Sequence, residues 1–417
     1  MNGVAHGDGG LMNGRRGRRA ARSLVEGEAE TLTWADERDG DGSGARHSAR
    51  WRSESGAPPP GRVVVADDRV KADDAYRLAC EGTALLWQGD FQNARQLLQA
   101  MMRRVDRPPK RAQRKRQQAA EPSLTQAFHM HRQAQAQRAR TLGMVLIPVE
   151  AGHVVPLRRA PDVRQACFEA YGPGDEPYVV SLRELLGVIG AHEWREKGVS
   201  IPALGGDRIH PHYGVFSPVR GEYVSLVAEA PLPVSRSLAY DIGTGTGVLA
   251  AVLARRGLER VVATDQDPRA LACAHENITR LGLTDRVEVV EADLWPPSPS
   301  GGASLVVCNP PWVPARPSSP LEHAVYDPES RMLRAYLGGL AQHLAPGGEG
   351  WLILSDLAEH LGLRTRAELL AAFDAGGLKV AGRLDAKPVH PRAADADDQL
   401  HEARAAEVTS LWRLVPA

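Results

Sequence analysis

Leu238-Ala239-Tyr240-Asp241-Ile242-Gly243-Thr244-Gly245-Thr246-Gly247-Val248-Leu249 runs from an apolar strand through a glycine turn into a helix. Glycines let a backbone turn sharply and approach a ligand closely. A dinucleotide-binding turn wants a third small residue three positions after its second glycine, and Val248 stands there instead. The phosphate-cradling ending Gly-Lys-Ser/Thr is absent, and Asp241 lies two positions before the first glycine. The pattern points to a cofactor without phosphate, whose ammonium and ribose meet carboxylates.

Outward from this turn the elements alternate as an open α/β sheet requires. Arg260–Asp265 reads as the second strand and ends in an acid able to accept two ribose hydroxyls. A helix is expected over Pro268–Leu281, with proline at its start and Gly282 closing it. Arg286–Asp293 reads as the third strand, again ending in an acid, which can accept from an adenine amino group. Each strand ends at the rim where such sheets bind ligands.

Leu305-Val306-Val307-Cys308 reads as a buried strand and leads into Asn309-Pro310-Pro311-Trp312. The Asn309 oxygen and the Pro310 carbonyl can each accept one N–H of a planar amino group. Neither proline has an N–H to compete, and both restrict the backbone. Trp312 offers a face for stacking. Cys308, inside the strand, reads as a small apolar filler.

Taken together, these stretches resemble class I S-adenosylmethionine-dependent methyltransferases of the "methyltransferase small" group, over about Ile209 to Ala417. Asp241–Gly247, including Gly243, Thr244, Gly245 and Thr246, resembles the family's motif I. Asp265 matches its ribose-binding acid, and Asp293, followed by Leu294, its adenine-side acid. Asn309–Trp312 matches the Asn-Pro-Pro-aromatic motif of amino-group methylases. The resemblance implies a Rossmann-like sheet of seven strands, mostly parallel, with the last, Val408–Val415, inserted antiparallel. It implies S-adenosyl-L-methionine as cofactor and Asn309, Pro310 and Trp312 as catalytic residues. Asn309 would also face the cofactor, and Pro311 and Phe216 would join the substrate site.

Two relatives compete for the acceptor. Asn-Pro-Pro-Trp-Val-Pro is similar to protein glutamine methyltransferases acting on release factors, where tyrosine is the usual fourth residue. Tyr213-Gly214-Val215-Phe216-Ser217-Pro218 is similar to a segment of rRNA guanine methyltransferases. Val313-Pro314 favours a glutamine side chain of a translation-related protein, with an rRNA, tRNA or DNA base (adenine N6 or guanine N2) as the alternative. A non-catalytic adaptor on the same fold is the reading from another class. A nicotinamide dehydrogenase is disfavoured by Val248 and by the lack of a proton-relay motif.

The 417 residues leave room for further domains. Residues 1–62 are rich in Gly, Arg, Asp, Glu and Ser and read as a disordered tail. Residues 63–122 read as a helical hairpin, about Ala72–Trp87 and Phe91–Val105, followed by a basic linker in the run 103–116. That run can contact phosphates or act as a solvated spacer. Residues 123–208 read as a further ordered domain, to which the resemblance and its position imply a substrate-presenting role, and the whole N-terminal region is expected to be mainly helical. Lys and Arg (51) balance Asp and Glu (51), so net charge makes no case for nucleic acid or membrane. Four scattered cysteines are neither a disulfide framework nor a zinc site. His129, His131, His153, His192, His210 and His212 invite a metal, but the closest pair, His210-Pro211-His212, has no Cys or acid at ligand spacing, so no metal is expected. No stretch reaches the ~20 apolar residues of a membrane span. A cytoplasmic protein with a macromolecular substrate is expected.

Overall fold

The computed structural model describes residues 30–35, 46–107, 122–219, 221–297, 302–317, 320–388 and 400–417. Most of the tail, the basic run beyond Arg107, Arg220 and much of the link before Glu407 lie outside these residues.

The N-terminal region departs from the helical expectation. Strands β1 (Thr31–Ala35), β2 (Arg46–Arg52), β3 (Arg62–Ala66), β4 (Thr83–Trp87), β5 (Val145–Val149) and β6 (Tyr178–Ser181) form one sheet in the order β1-β2-β6-β5-β4-β3. Two strands thus fall inside the stretch expected to be disordered, and the units divided at residue 122 share a sheet. The first expected helix ends early, at Cys80; Gly82, with φ 81°, turns the chain into β4. All five residues of β4 are buried, so it lacks the alternation by which a half-buried strand is recognised. Edge strands β1 and β3 approach each other, curling the sheet around Leu32, Trp51, Leu86, Leu146 and Val179. Helices Ala72–Cys80, Phe91–Val105, Arg164–Tyr171 and Leu182–Lys197 pack outside it.

A short ribbon, β7 (Val199–Ser200) with β8 (Arg208–Ile209), leads into the second unit. Its strands are β9 (Leu238–Ile242), β10 (Arg260–Asp265), β11 (Val287–Glu291), β12 (Ala303–Cys308), β13 (Leu344–Ser355), β14 (Leu378–Ala386) and β15 (Thr409–Pro416). They form a seven-stranded sheet in the order β11-β10-β9-β12-β13-β15-β14. The first five are parallel, and β15 runs antiparallel to both β13 and β14. The expected α/β architecture of this half is therefore present. Helices Glu222–Glu229, Val248–Arg255 and Pro268–Arg280 pack on one face. Arg331–His343 and Arg366–Ala375 cover the other. Both faces are covered, which is why β12 is apolar almost throughout and wholly buried.

Ion pairs join the two units. Arg195 of helix Leu182–Lys197 reaches Glu276 at 2.7 Å, and Arg269 reaches Glu54 at 2.6 Å; His212, its pKa lowered by burial, shares Glu276 through a 2.7 Å hydrogen bond.

Candidate active site

Parallel register decides where the key residues emerge. Ile242 of β9 stands opposite Cys308 of β12 and Thr264 of β10. Gly243 and Asn309, each the next residue, therefore leave the sheet side by side on one rim. Asp265 stands opposite Glu291 on the same rim, with Asp293 just beyond. The glycine turn and the Asn-Pro-Pro-Trp corner share one rim because β9 and β12 are neighbours at the point where strand order reverses, where open α/β sheets bind ligands.

The glycine turn needs its glycines for different reasons. Gly243, Gly245 and Gly247 have φ 72°, 55° and 80°. A Cβ on Gly247 would lie 3.2 Å from the Ala274 backbone, so this glycine lets two helices meet. A Cβ on Gly245 would meet nothing within 4 Å, so the turn is open there. Asp241 is buried; its Oδ2 accepts the Thr244 hydroxyl at 2.6 Å and the Ala250 N–H at 3.0 Å. It ties the turn to the following helix. Burial pushes its carboxyl up to about 6, more than those two bonds pull it down. Thr244 and Thr246 are buried inside the turn.

Asp265 is half-buried. Its Oδ2 accepts the Gly245 N–H at 3.0 Å and its Oδ1 the Asp267 N–H at 3.1 Å. Backbone N–H groups, that of Gln266 among them, fix the carboxylate, whose acceptor sites outnumber these bonds. Burial raises its pKa against those bonds. Leu294, at φ 72°, offers its carbonyl to the Thr264 hydroxyl at 2.8 Å, clasping the loop that carries the exposed Asp293.

On the β12 side of the rim, the Trp312 indole N–H donates to Asn309 Oδ1 at 2.9 Å. An indole nitrogen can only donate, so the amide must present its oxygen here. The Trp312 ring, partly buried, packs against apolar clusters on both faces of the sheet. Pro310 is buried, Pro311 half-buried. Burial pushes the adjoining Cys308 thiol well up, which leaves it inert. Phe216 is half-buried; its neighbour Val215 packs on Ala270 and Cys273 of the helix that starts just past Asp265.

Sequence reasoning missed the cover of the turn. Helix Arg331–His343 begins only after Glu329 and Ser330, at φ 59° and 54°. Two consecutive non-glycine residues in the left-handed region cost roughly 1–2 kcal/mol each. The buried Asp327 holds this turn: its carbonyl accepts the Ser330 N–H at 3.0 Å, and its Oδ2 the Leu333 N–H at 3.2 Å. The result sets Met332 over Gly243, with Cε 2.7 Å from where a Cβ would stand. Nothing in Asp327-Pro328-Glu329-Ser330 marks this strained turn in the sequence.

A cofactor bearing ribose and no phosphate fits this rim. A Cβ on Gly245 would meet nothing within 4 Å, the Asp265 carboxylate suits hydroxyl donors, and its negative charge disfavours a phosphate. Glycine turn, acid-tipped strands and antiparallel β15 together define the class: a Rossmann-like methyltransferase fold. The methyltransferase small domain family matches residues 207–365. The release factor glutamine methyltransferase of Cereibacter sphaeroides is 35% identical over 162 residues, 38% of this chain and 54% of that protein. The ribosomal protein L11 methyltransferase of Pelotomaculum thermopropionicum is 37% identical over 145 residues, 34% of this chain and 39% of its own. The tRNA1(Val) (adenine(37)-N6)-methyltransferase of Shewanella loihica is 31% identical over 176 residues, 40% of this chain and 69% of its own. The chain belongs to the methyltransferase small family of class I S-adenosylmethionine-dependent methyltransferases. It spans about half or less of the length of the first two of these relatives. Among the described residues no helix is long and apolar enough to cross a membrane.

Proposed function

We propose that this protein is an S-adenosylmethionine-dependent N-methyltransferase acting on a planar amide or amino nitrogen, with a glutamine side chain of a translation-related protein as acceptor. The observation that carries this is the side-by-side exit of Gly243 and Asn309 from neighbouring parallel strands. S-adenosylmethionine, when bound, supplies an electrophilic methyl group whose leaving group is a neutral thioether, so no general acid is demanded.

The chain's own residues bind and orient. Asp265 receives the ribose hydroxyls on the lone pairs its backbone bonds leave over. Gly245 keeps the turn low enough for close approach, and Asp293 and Leu294 border the adenine side. Asn309 Oδ1, with one lone pair taken by Trp312, gives its other to one hydrogen of the acceptor amine; the Pro310 carbonyl takes the second. Holding both hydrogens localises the nitrogen lone pair towards the methyl group and stabilises positive charge as it develops. The remaining exposed part of Trp312, with Pro311 and Phe216, lines the slot.

Val313-Pro314 and two relatives that act on proteins favour a protein acceptor. A nucleic-acid base is the second reading, favoured by the tRNA-modifying relative, which this chain covers most fully of the three. Incubation with radiolabelled S-adenosylmethionine, unmethylated peptide release factor and unmethylated tRNA and rRNA separates them. Label on a glutamine of the release factor supports the proposal; label that only ribonuclease removes overturns it in favour of a base. Failure to bind the cofactor at all would leave an adaptor.

A further inference from the structure

Helix Leu124–Leu142 belongs by chain order to the N-terminal region, yet it lies on the loop that follows the Asn-Pro-Pro-Trp corner. Phe128 is buried with Val313, Leu361, Leu400 and Ala403. The Thr125 hydroxyl donates to the Leu361 carbonyl at 2.9 Å. Arg132, one turn beyond Phe128 on the same face, reaches further. Its Nη2 donates to the Arg316 carbonyl at 2.8 Å and to Glu322 Oε2 at 3.3 Å. Its guanidinium also lies 4.0 Å from the centre of the Tyr326 ring. One side chain thus holds three points of the segment 313–327.

That segment is tied back to the acceptor corner. The Val313 N–H donates to the Val325 carbonyl at 3.1 Å, and the Asp327 N–H to the Val313 carbonyl at 2.9 Å. Val313 and Tyr326 form an isolated parallel bridge. Val313 directly follows Trp312, whose N–H sets the Asn309 amide. Prolines 310, 311, 314, 317 and 320 remove N–H groups that could otherwise anchor this loop to the catalytic sheet. An anchor from outside compensates. A planar forked cation that stacks on an aromatic ring, hydrogen-bonds a carbonyl and pairs with a carboxylate at once suits the task, and lysine replaces it only in part.

We propose that Arg132 is a positioning residue for Asn309, acting through the segment 313–327 and Trp312, so that the N-terminal region forms part of the acceptor site. This rests on the reading above that Asn309 receives the acceptor amine. The physical coupling, however, can be tested without any acceptor. In full-length protein labelled with 15N-tryptophan, Trp312→Phe assigns the Trp312 indole signal. Arg132→Ala should then shift that signal and speed its hydrogen exchange, with Arg132→Lys intermediate. Affinity for S-adenosylmethionine should change less than twofold in both variants. On whichever acceptor the wild type methylates, kcat should fall about tenfold in Arg132→Ala, with partial recovery in Arg132→Lys.

An unmoved Trp312 signal in folded Arg132→Ala would overturn the coupling. A moved signal with unchanged kcat would overturn the positioning role. Should Arg132→Ala fail to fold, Tyr326→Leu keeps the apolar packing and removes the stacking partner, and the same shift is expected. If the wild type methylates nothing, the proposed function fails while the indole signal still decides the brace.

Discussion

Trp312 holds Asn309 by one bond, indole Nε1–H to amide Oδ1 at 2.9 Å, and that bond leaves a single lone pair on the oxygen for an acceptor. Asn309→Ala should therefore lower turnover at least a hundredfold while cofactor affinity stays within about threefold, the size expected when a charge-stabilising group is removed. Trp312→Phe keeps the ring's bulk and frees the amide to rotate. It should lower kcat about tenfold and cost about 1 kcal/mol of stability. Steady-state kinetics beside thermal unfolding checks both; equal kcat in Trp312→Phe would show that the indole does not set the amide.

Two glycines of one turn should fail differently. A methyl on Gly245 meets open space, so Gly245→Ala should weaken S-adenosylmethionine binding tenfold or more and cost only about 1 kcal/mol for its positive φ. A methyl on Gly247 meets the Ala274 backbone at 3.2 Å, so Gly247→Ala should lower the melting temperature well beyond that. Calorimetric titration with the cofactor, paired with melting curves, distinguishes them. The reverse ranking would mean that the cofactor does not lie over Gly245.

Asp241 makes stability depend on pH in an unusual direction. Its carboxyl is pushed from 3.8 up to about 6 in the folded chain. Between these values the folded state keeps a proton that the unfolded chain has released. Its contribution is complete below about pH 3.8 and is lost as pH rises through about 6. Asp241→Asn retains an acceptor for Thr244 and Ala250 but cannot titrate. Its stability relative to wild type should grow by on the order of 2–3 kcal/mol from pH 4 to pH 7. Denaturant midpoints at several pH values measure this, and parallel curves would contradict it.

Glu276 behaves oppositely at the junction of the two units. Burial pushes its carboxyl up, but Arg280, His212 and Arg195 outweigh that and hold it at about 2. Its stabilisation is present above about pH 4.5 and lost as pH falls through about 2. Glu276→Gln should melt below wild type at pH 7, with the gap closing as pH is lowered from 4 towards 2. A gap independent of pH would assign the loss to packing rather than charge.

The catalytic half was legible because its signals are local and ordered. Asp241–Gly247 must bend where only glycine bends cheaply, an acid ends each of the next two strands, and Asn309 follows an apolar run. The N-terminal half was not. Strand β4 is buried on every side chain, so its Leu85 and Leu86 fit a helical spacing as well as a strand. Strands β1 and β2 are short and polar, and only pairing across the sheet gives them a reason to be strands.

The chain's order of residues alone determined the groups on offer: a glycine bend, carboxylates near strand ends, and an amide beside two prolines. Tertiary structure decided which of these meet and how they point. The register of β9 against β12 brought Gly243 beside Asn309. The indole of Trp312 took one lone pair of the amide, the strained Glu329–Ser330 turn laid Met332 on Gly243, and Arg132 reached the loop after Trp312 from 184 residues away. Local propensity encodes turns and strand ends, whereas contacts between distant residues exist only once burial of both sheet faces has fixed the packing.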